Sequence, residues 1–233
     1  MNKLLLSRDD ELSNIVIEED TEIVLKLTNC NKSINVIIEK DVCVNILEIS
    51  DNTNNTLIFT LKENSRLICN RAIKNSNDNI SINLDGINAS LVINNSVVNT
   101  TTSVCNFDIR HSSSNTSSKL SNHGINSSTE DLEFDVNVYI SNDSKECITT
   151  QENKIVNTNC GKSKILPNLI VDNDDVNAAH SAFISDFDKE VLFYMKSRGL
   201  TEKQSRVLLK ESFIIGNLEY IDDYIEEIKK LFL

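Results

Sequence analysis

The 233-residue chain has no tryptophan, one proline, five glycines and three histidines, and its 23 lysines and arginines face 35 aspartates and glutamates. Each shortage removes a class of function. A net charge of -12 leaves no cationic surface for nucleic-acid phosphates or anionic lipid. No apolar run reaches the roughly 18 residues a membrane span needs. Leu4, Leu5 and Leu6, inside "MNKLLLSRDDE", are too few for a signal-peptide core. These absences predict a soluble, cytoplasmic protein with neither nucleic acid nor membrane among its partners. Glycine is too scarce for a phosphate-cradling loop, and there is no HExxH and no Ser or Cys nucleophile at a recognisable elbow. An aromatic content of 5% speaks against the platform of a glycan-binding or lyase solenoid. The six cysteines, Cys30, Cys43, Cys69, Cys105, Cys147 and Cys160, show neither CxxC nor zinc-finger spacing and read as reduced thiols. Cys43 and Cys105 lie in alternating runs and are expected to be buried. Cys160, in a polar turn beside Gly161, is expected to be reachable.

What is present is β-type patterning. Short runs rich in Ile, Val and Thr recur from residue 15 to about 171: "IVI" at 15, "IVLKL" at 23, "INVIIE" at 34, "VCVNILEI" at 42, "TLIFTL" at 56, "RLICNRAI" at 66 and "ISINL" at 80. "SLVINNSVV" at 90, "VCNFDI" at 104, "LEFDVNVYI" at 132 and "KILPNLIV" at 164 complete the series. The spacing fits a sandwich, a barrel or a β-solenoid. The connectors hold few Asn-Gly or Gly-Gly pairs of the tight-hairpin kind and many asparagines, which suits solenoid corners in the left-handed conformation. The stretch "SSSNTSSKLSNHGINSST", residues 112–129, reads as a mobile surface loop.

After residue 184 the period changes, which predicts a β-domain over 1–184 and a helical subdomain over 185–233. Ser185 and Asp188 resemble a capping box opening a helix "DFDKEVLFYMKSR", which Gly199 is placed to end. Thr201 and Gln204 repeat the device for "EKQSRVLLKESFII", which stops at Gly216. A third helix is expected over 218–232, with Leu218, Ile221, Ile225, Ile228 and Phe232 on one stripe. The apolar faces of these helices either cap the end of the β-core or dock a partner. His180, alone at the junction behind "DNDDVNAA", either hydrogen-bonds the local structure or ligates a metal. His111 and His123 border the serine-rich stretch.

The junction carries a resemblance. Asp174, Asp175, Val176, His180 and Ala182, then Leu192, Phe193, Tyr194 and the "SRGL" of 197–200, resemble the signature of the SufB/SufD family of iron-sulfur cluster assembly scaffolds. The resemblance implies a right-handed parallel β-helix followed by C-terminal helices. It implies a subunit that is not itself an enzyme and that docks a SufC-like ABC ATPase through those helices, with Leu192, Phe193, Tyr194, Arg198, Gly199 and Leu200 as docking residues. It further implies pairing through the β-helix, with a SufB-like paralogue or with a second copy. His180 matches an interface histidine of the D-type member and is the candidate iron ligand of a transient iron-sulfur cluster, none being held tightly by this chain alone. Cys160 is the nearest thiol in sequence. The chain departs from the family where Ala178 replaces a D-type cysteine, where Glu152 stands near a B-type cysteine, and where Ser181 replaces a B-type glutamate. The family's N-terminal helical region has no counterpart, which implies a reduced, D-like subunit. The alternative reading is a structural, ATPase-coupling subunit without cluster-binding capacity.

Overall fold

Alternation along the apolar runs puts every second side chain into a single long core. In β6 (Thr56–Leu61), for instance, Leu57, Phe59 and Leu61 are buried while the residues between them are not. The computed structural model describes residues 2–7 and 13–232, and the acidic run Asp9 to Glu11 lies outside them. One parallel sheet runs β1 (Asn2–Ser7), β3 (Thr21–Thr28), β5 (Cys43–Thr53), β7 (Arg66–Leu84), β8 (Ser90–Asn99), β10 (Ser117–Asn126), β12 (Cys147–Asn157) and β14 (Val176–Ser185). The facing sheet runs β2 (Asn14–Ile17), β4 (Ser33–Ile38), β6, the second half of β7, β9 (Ser103–His111), β11 (Leu132–Ile140) and β13 (Ser163–Val171). The chain passes from one sheet to the other and back, each turn stacked in parallel on the last, which is a β-solenoid. A sandwich or an up-and-down barrel would need antiparallel pairs, and every pair here is parallel.

The asparagines sit at the corners. Asn29, Asn52 and Asn75 adopt φ of 49°, 54° and 53° at one corner, and Asp41, Asn64, Asn88 and Asn115 adopt 55–63° at the other. Asn and Asp tolerate this left-handed conformation better than other non-glycine residues. Here they also bond along the stack: Asn52 Nδ2 donates to Asn29 Oδ1 at 2.6 Å, Asn64 Nδ2 to Asp41 Oδ1 at 2.7 Å, and Asn88 Nδ2 to Asn64 Oδ1 at 2.9 Å.

The turns widen along the chain. Stacked partners are 23 residues apart between Asn29 and Asn52, 27 between Asn95 and Asn122, and 31 between Asn122 and Asn153. As the interior grows it becomes polar. A buried row runs rung to rung from Glu48 to Arg71, Asn95, Asn122 and Asn153, with contacts of 2.6, 3.3, 3.1 and 2.7 Å. Asn153 Nδ2 then reaches the Ser181 carbonyl at 3.2 Å.

Residues 112–129 are therefore not a loop: they contain β10. Their serines and asparagines face inward and are satisfied there, Ser118 by Thr149 and Asn122 by its neighbours. Gly124 lets this strand approach sheet two, since a Cβ there would lie 2.8 Å from Leu132 and Phe134 side-chain carbons. His111 and His123, expected beside a flexible segment, both lie within strands. Cys105 is buried as expected, but Cys43 faces outward at the start of β5 and is only half-buried.

Three helices follow. The first, α1 (Lys189–Ser197), begins later than its sequence pattern predicts, because Ser185 still belongs to β14 and Asp188 is the N-cap, accepting from Glu190 N at 2.7 Å. Gly199 closes it at φ 91°. The second, α2 (Glu202–Ile215), carries the expected Thr201/Gln204 capping box. The third is shorter than predicted: residues 217–221 form a loop, Asp222–Tyr224 a 3-10 turn, and only α3 (Ile225–Phe232) is α-helical. The apolar stripe holds even so. Leu218, Ile221 and Ile228 pack on Leu47, Ile49 and Ala72, and Ile214 packs on Val98, Ile125 and Val156. The helices thus cover the outer flank of the first sheet, and the expectation that they cap the end of the β-core is not met. Outward-facing apolar residues on β5, β7, β8, β10 and β12 supply that seat.

Candidate functional site

The site is the open end of the solenoid and the helices beside it. Among the described residues, β14 pairs only with β12 and β13 only with β11, so each presents an unpaired edge. Such edges are ready to pair with another chain. Their side chains are mostly exposed, including Ile170, Phe183 and Ile184.

His180 lies mid-strand in β14, in register with Gln151 of β12, which is in register with Leu120 of β10. Gln151 and Leu120 point into the core. Alternation therefore places His180 in the interior-facing row of the last rung, exposed only because no further rung covers it. Ala178 and Ala182 share its face. Ser181 lies on the outer face, in register with Glu152. Glu152 is engaged: its carboxylate accepts from Lys154 Nζ at 2.5 Å and lies 3.4 Å from His123 Nε2, and these partners hold its pKa below the usual carboxylate range, the Lys154 hydrogen bond most of all. His123 in turn stacks on Phe213 of α2 with ring centroids 4.4 Å apart. Sequence reasoning passed over His123; its position under a helix shows only once the solenoid is folded.

Cys160 is exposed in the corner between β12 and β13. It adjoins the end of β12, where Val156 is in register with Ser185, five residues beyond His180. At about 3.3 Å per strand residue that is roughly 17 Å, so one chain does not bring the two together. The interior thiols are unsuited to ligation. Burial pushes Cys69 and Cys105 up to about 12, with nearby Arg71 opposing only in part, so both are protonated at neutral pH. Among the described residues no three His, Cys, Asp or Glu side chains converge to hold a metal ion.

The signature helix divides its residues between two tasks. Leu192 is buried, whereas Phe193 and Tyr194 are 75% and 58% exposed, and the Arg198 guanidinium lies over the Tyr194 ring at 5.2 Å. Leu200 is half-buried, and Gly199 has open space about its Cα. Val191 of α1 and Val207 and Leu208 of α2 extend the exposed apolar surface. Arg206 of α2 fixes the junction by its 3.0 Å contact with Asp186, a hydrogen bond that draws the Asp186 pKa down.

The description "SUF system FeS cluster assembly, SufBD core domain" matches residues 9–213. The chain belongs to the SufB/SufD family. Its relatives include the iron-sulfur cluster assembly SufBD family protein of Mycobacterium leprae, 42% identical over 60 residues, and the iron-sulfur cluster assembly protein SufD of Plasmodium falciparum, 35% identical over 72 residues. Those segments are 25% and 30% of this chain, but only 15% and 5% of the two relatives. The family accounts for the parallel β-helix and places the chain within SUF-type iron-sulfur cluster assembly. Among the described residues, no helix is long and apolar enough to cross a membrane.

Proposed function

We propose that this SufB/SufD-family chain is a non-enzymatic, cytoplasmic scaffold subunit that pairs end to end through β13 and β14 and docks a SufC-like ABC ATPase through α1 and α2. The observation that carries the reading is the coincidence of the family signature with two unpartnered surfaces: the strand edges around His180, and the Phe193/Tyr194 face. The widening of the turns supports end-to-end pairing. A rung closed every 31 residues matches another wide mouth, on a SufB-like paralogue or a second copy, better than the narrow N-terminal end, which closes every 23. The iron-sulfur cluster is cargo. His180 supplies one imidazole ligand of the kind that serves beside thiolates in Rieske centres, and the thiolates come from the other subunit.

Binding of the co-expressed SUF ATPase to the Phe193→Asp/Tyr194→Ser variant is expected to weaken by about 30-fold, the loss of roughly 2 kcal/mol typical of truncated aromatic hot spots. Circular dichroism should not change, since both side chains are exposed. Unaltered binding would exclude this face as the dock. Anaerobic reconstitution of the assembled complex with His180→Ala should lower bound iron and the visible absorption of the cluster.

A second reading has its own observation. Ala178 and Ser181 remove groups present in other family members on either side of His180, and Cys160 is remote from it. A purely structural subunit would raise ATP turnover by the ATPase while His180→Ala left cluster loading intact.

A further inference from the structure

Gln151 stands directly beneath His180 and has an atom to spare. Thr149, Gln151 and Asn153 face the interior, and their register partners Ala178, His180 and Ala182 extend the same three rows to the mouth. The two outer rows are hydrogen-bonded from rung to rung: Ser118 Oγ lies 2.8 Å from Thr149 Oγ1, and Asn122 Nδ2 donates to Asn153 Oδ1 at 2.7 Å. The middle row stops short. Gln151 Nε2 crosses the interior and donates to the Asn168 carbonyl on β13 at 3.1 Å, whereas Oε1 accepts from no described residue although the side chain is only 3% exposed.

Reversing the amide does not cure this, because the Asn168 carbonyl can only be met by the nitrogen. An unpaired buried acceptor is costly, and the next group in its row is an imidazole. The His180 ring forms no hydrogen bond with another described residue, and Ala178 and Ala182 leave it room to turn. Neighbouring strands are about 4.8 Å apart. The Asn122–Asn153 contact shows that side chains in this register bridge that gap.

We propose that Gln151 is the positioning residue for His180: its Oε1 accepts the N–H of one ring nitrogen, so that the other keeps its lone pair and faces out of the solenoid mouth. A neutral imidazole has one N–H, and anchoring it sets both the tautomer and the ring plane, as partners of metal-ligating histidines do. The usefulness of this bond rests on the reading of His180 as a ligand, but its existence does not.

The test is long-range 1H–15N correlation NMR on the full chain labelled at histidine, with the His180→Ala spectrum assigning the signal. In the wild type at pH 8 His180 should populate one tautomer. Gln151→Leu should restore the mixture of a free imidazole, and Gln151→Glu should raise the His180 pKa by about one unit through the added charge. If neither variant changes His180, Oε1 is served by solvent and the proposal is overturned. Should Gln151→Leu fail to fold, the length-conserving Gln151→Glu still decides. These spectra need no iron. A Gln151-dependent tautomer in a protein whose His180→Ala variant loads cluster normally would retire the ligand role and leave the positioning bond standing.

Discussion

Arg71→Met should destabilise the chain by about 3–5 kcal/mol, because it strands two buried carboxylates. The Arg71 guanidinium is fully buried. Its Nε donates to Glu48 Oε2 at 2.6 Å, its Nη2 to Asp78 Oδ2 at 2.7 Å and its Nη1 to Asn95 Oδ1 at 3.3 Å, and it lies 6.0 Å from the Phe107 ring centre. The carboxylates are otherwise satisfied, by Ser50 Oγ on Glu48 and the Asn55 backbone N–H on Asp78. Burial would by itself lower the guanidinium pKa; the two neighbouring charges more than reverse this and hold it well above its usual range. Two anions around one cation leave no arrangement that survives its loss. For a domain of this size the penalty corresponds to a fall in melting temperature of about 6–20 °C. The triple variant Arg71→Met/Glu48→Gln/Asp78→Asn keeps the acceptors and removes the charges, and should recover most of the loss. Urea titrations of wild type, single and triple variants measure it. A single variant within about 1 kcal/mol of wild type, well short of the usual cost of breaking a buried pair, would show that the carboxylates do not depend on Arg71.

This triad also marks where sequence reading ends. Strands whose inward face is apolar, such as β6 and β11, announce themselves by alternation, and the asparagine corners follow from left-handed backbone preferences. β10, β12 and β14 do not. Their inward rows hold Ser118, Asn122, Thr149, Gln151, Asn153 and His180, so the alternation is polar inside and polar outside. Nor do Glu48, Arg71, Asn95, Asn122 and Asn153 form a fixed period, because each turn is longer than or equal to the last; only the fold aligns them. For the site, the signature residues pointed to His180 and to α1, but an exposed Phe193 beside a buried Leu192 needs the packing of α1 on α2. The row that joins His180 to Gln151 needs the strand register.

Between pH 6.5 and about 4 the chain should lose on the order of 3 kcal/mol of stability through His111 alone. The ring is fully buried, with Nδ1 2.8 Å from Thr116 Oγ1 and Nε2 2.8 Å from Ser118 Oγ. Thr116 donates its hydroxyl proton to the Ser113 carbonyl at 2.9 Å, so Nδ1 must bring the proton to Thr116 and Nε2 must accept from Ser118. Cys147, 3.2 Å from the Thr116 hydroxyl, is the one titratable neighbour in this network of described residues, and it is a thiol rather than a carboxylate. Protonating Nε2 would force the Ser118 hydroxyl to turn away and would bury a cation without a counter-charge. Burial accordingly pushes the His111 pKa down to about 4. The unfolded chain, with histidine near 6.5, then binds a proton that the folded one refuses, so stability is intact above pH 6.5 and falls as pH drops to about 4. At about 1.36 kcal/mol per unit the difference is about 3 kcal/mol. His111→Gln keeps a donor and an acceptor without a titrating group. Its unfolding free energy, measured by urea titration from pH 7 to pH 4, should decline less steeply than the wild type by that amount. Parallel pH profiles for the two proteins would place the acid sensitivity elsewhere in the fold.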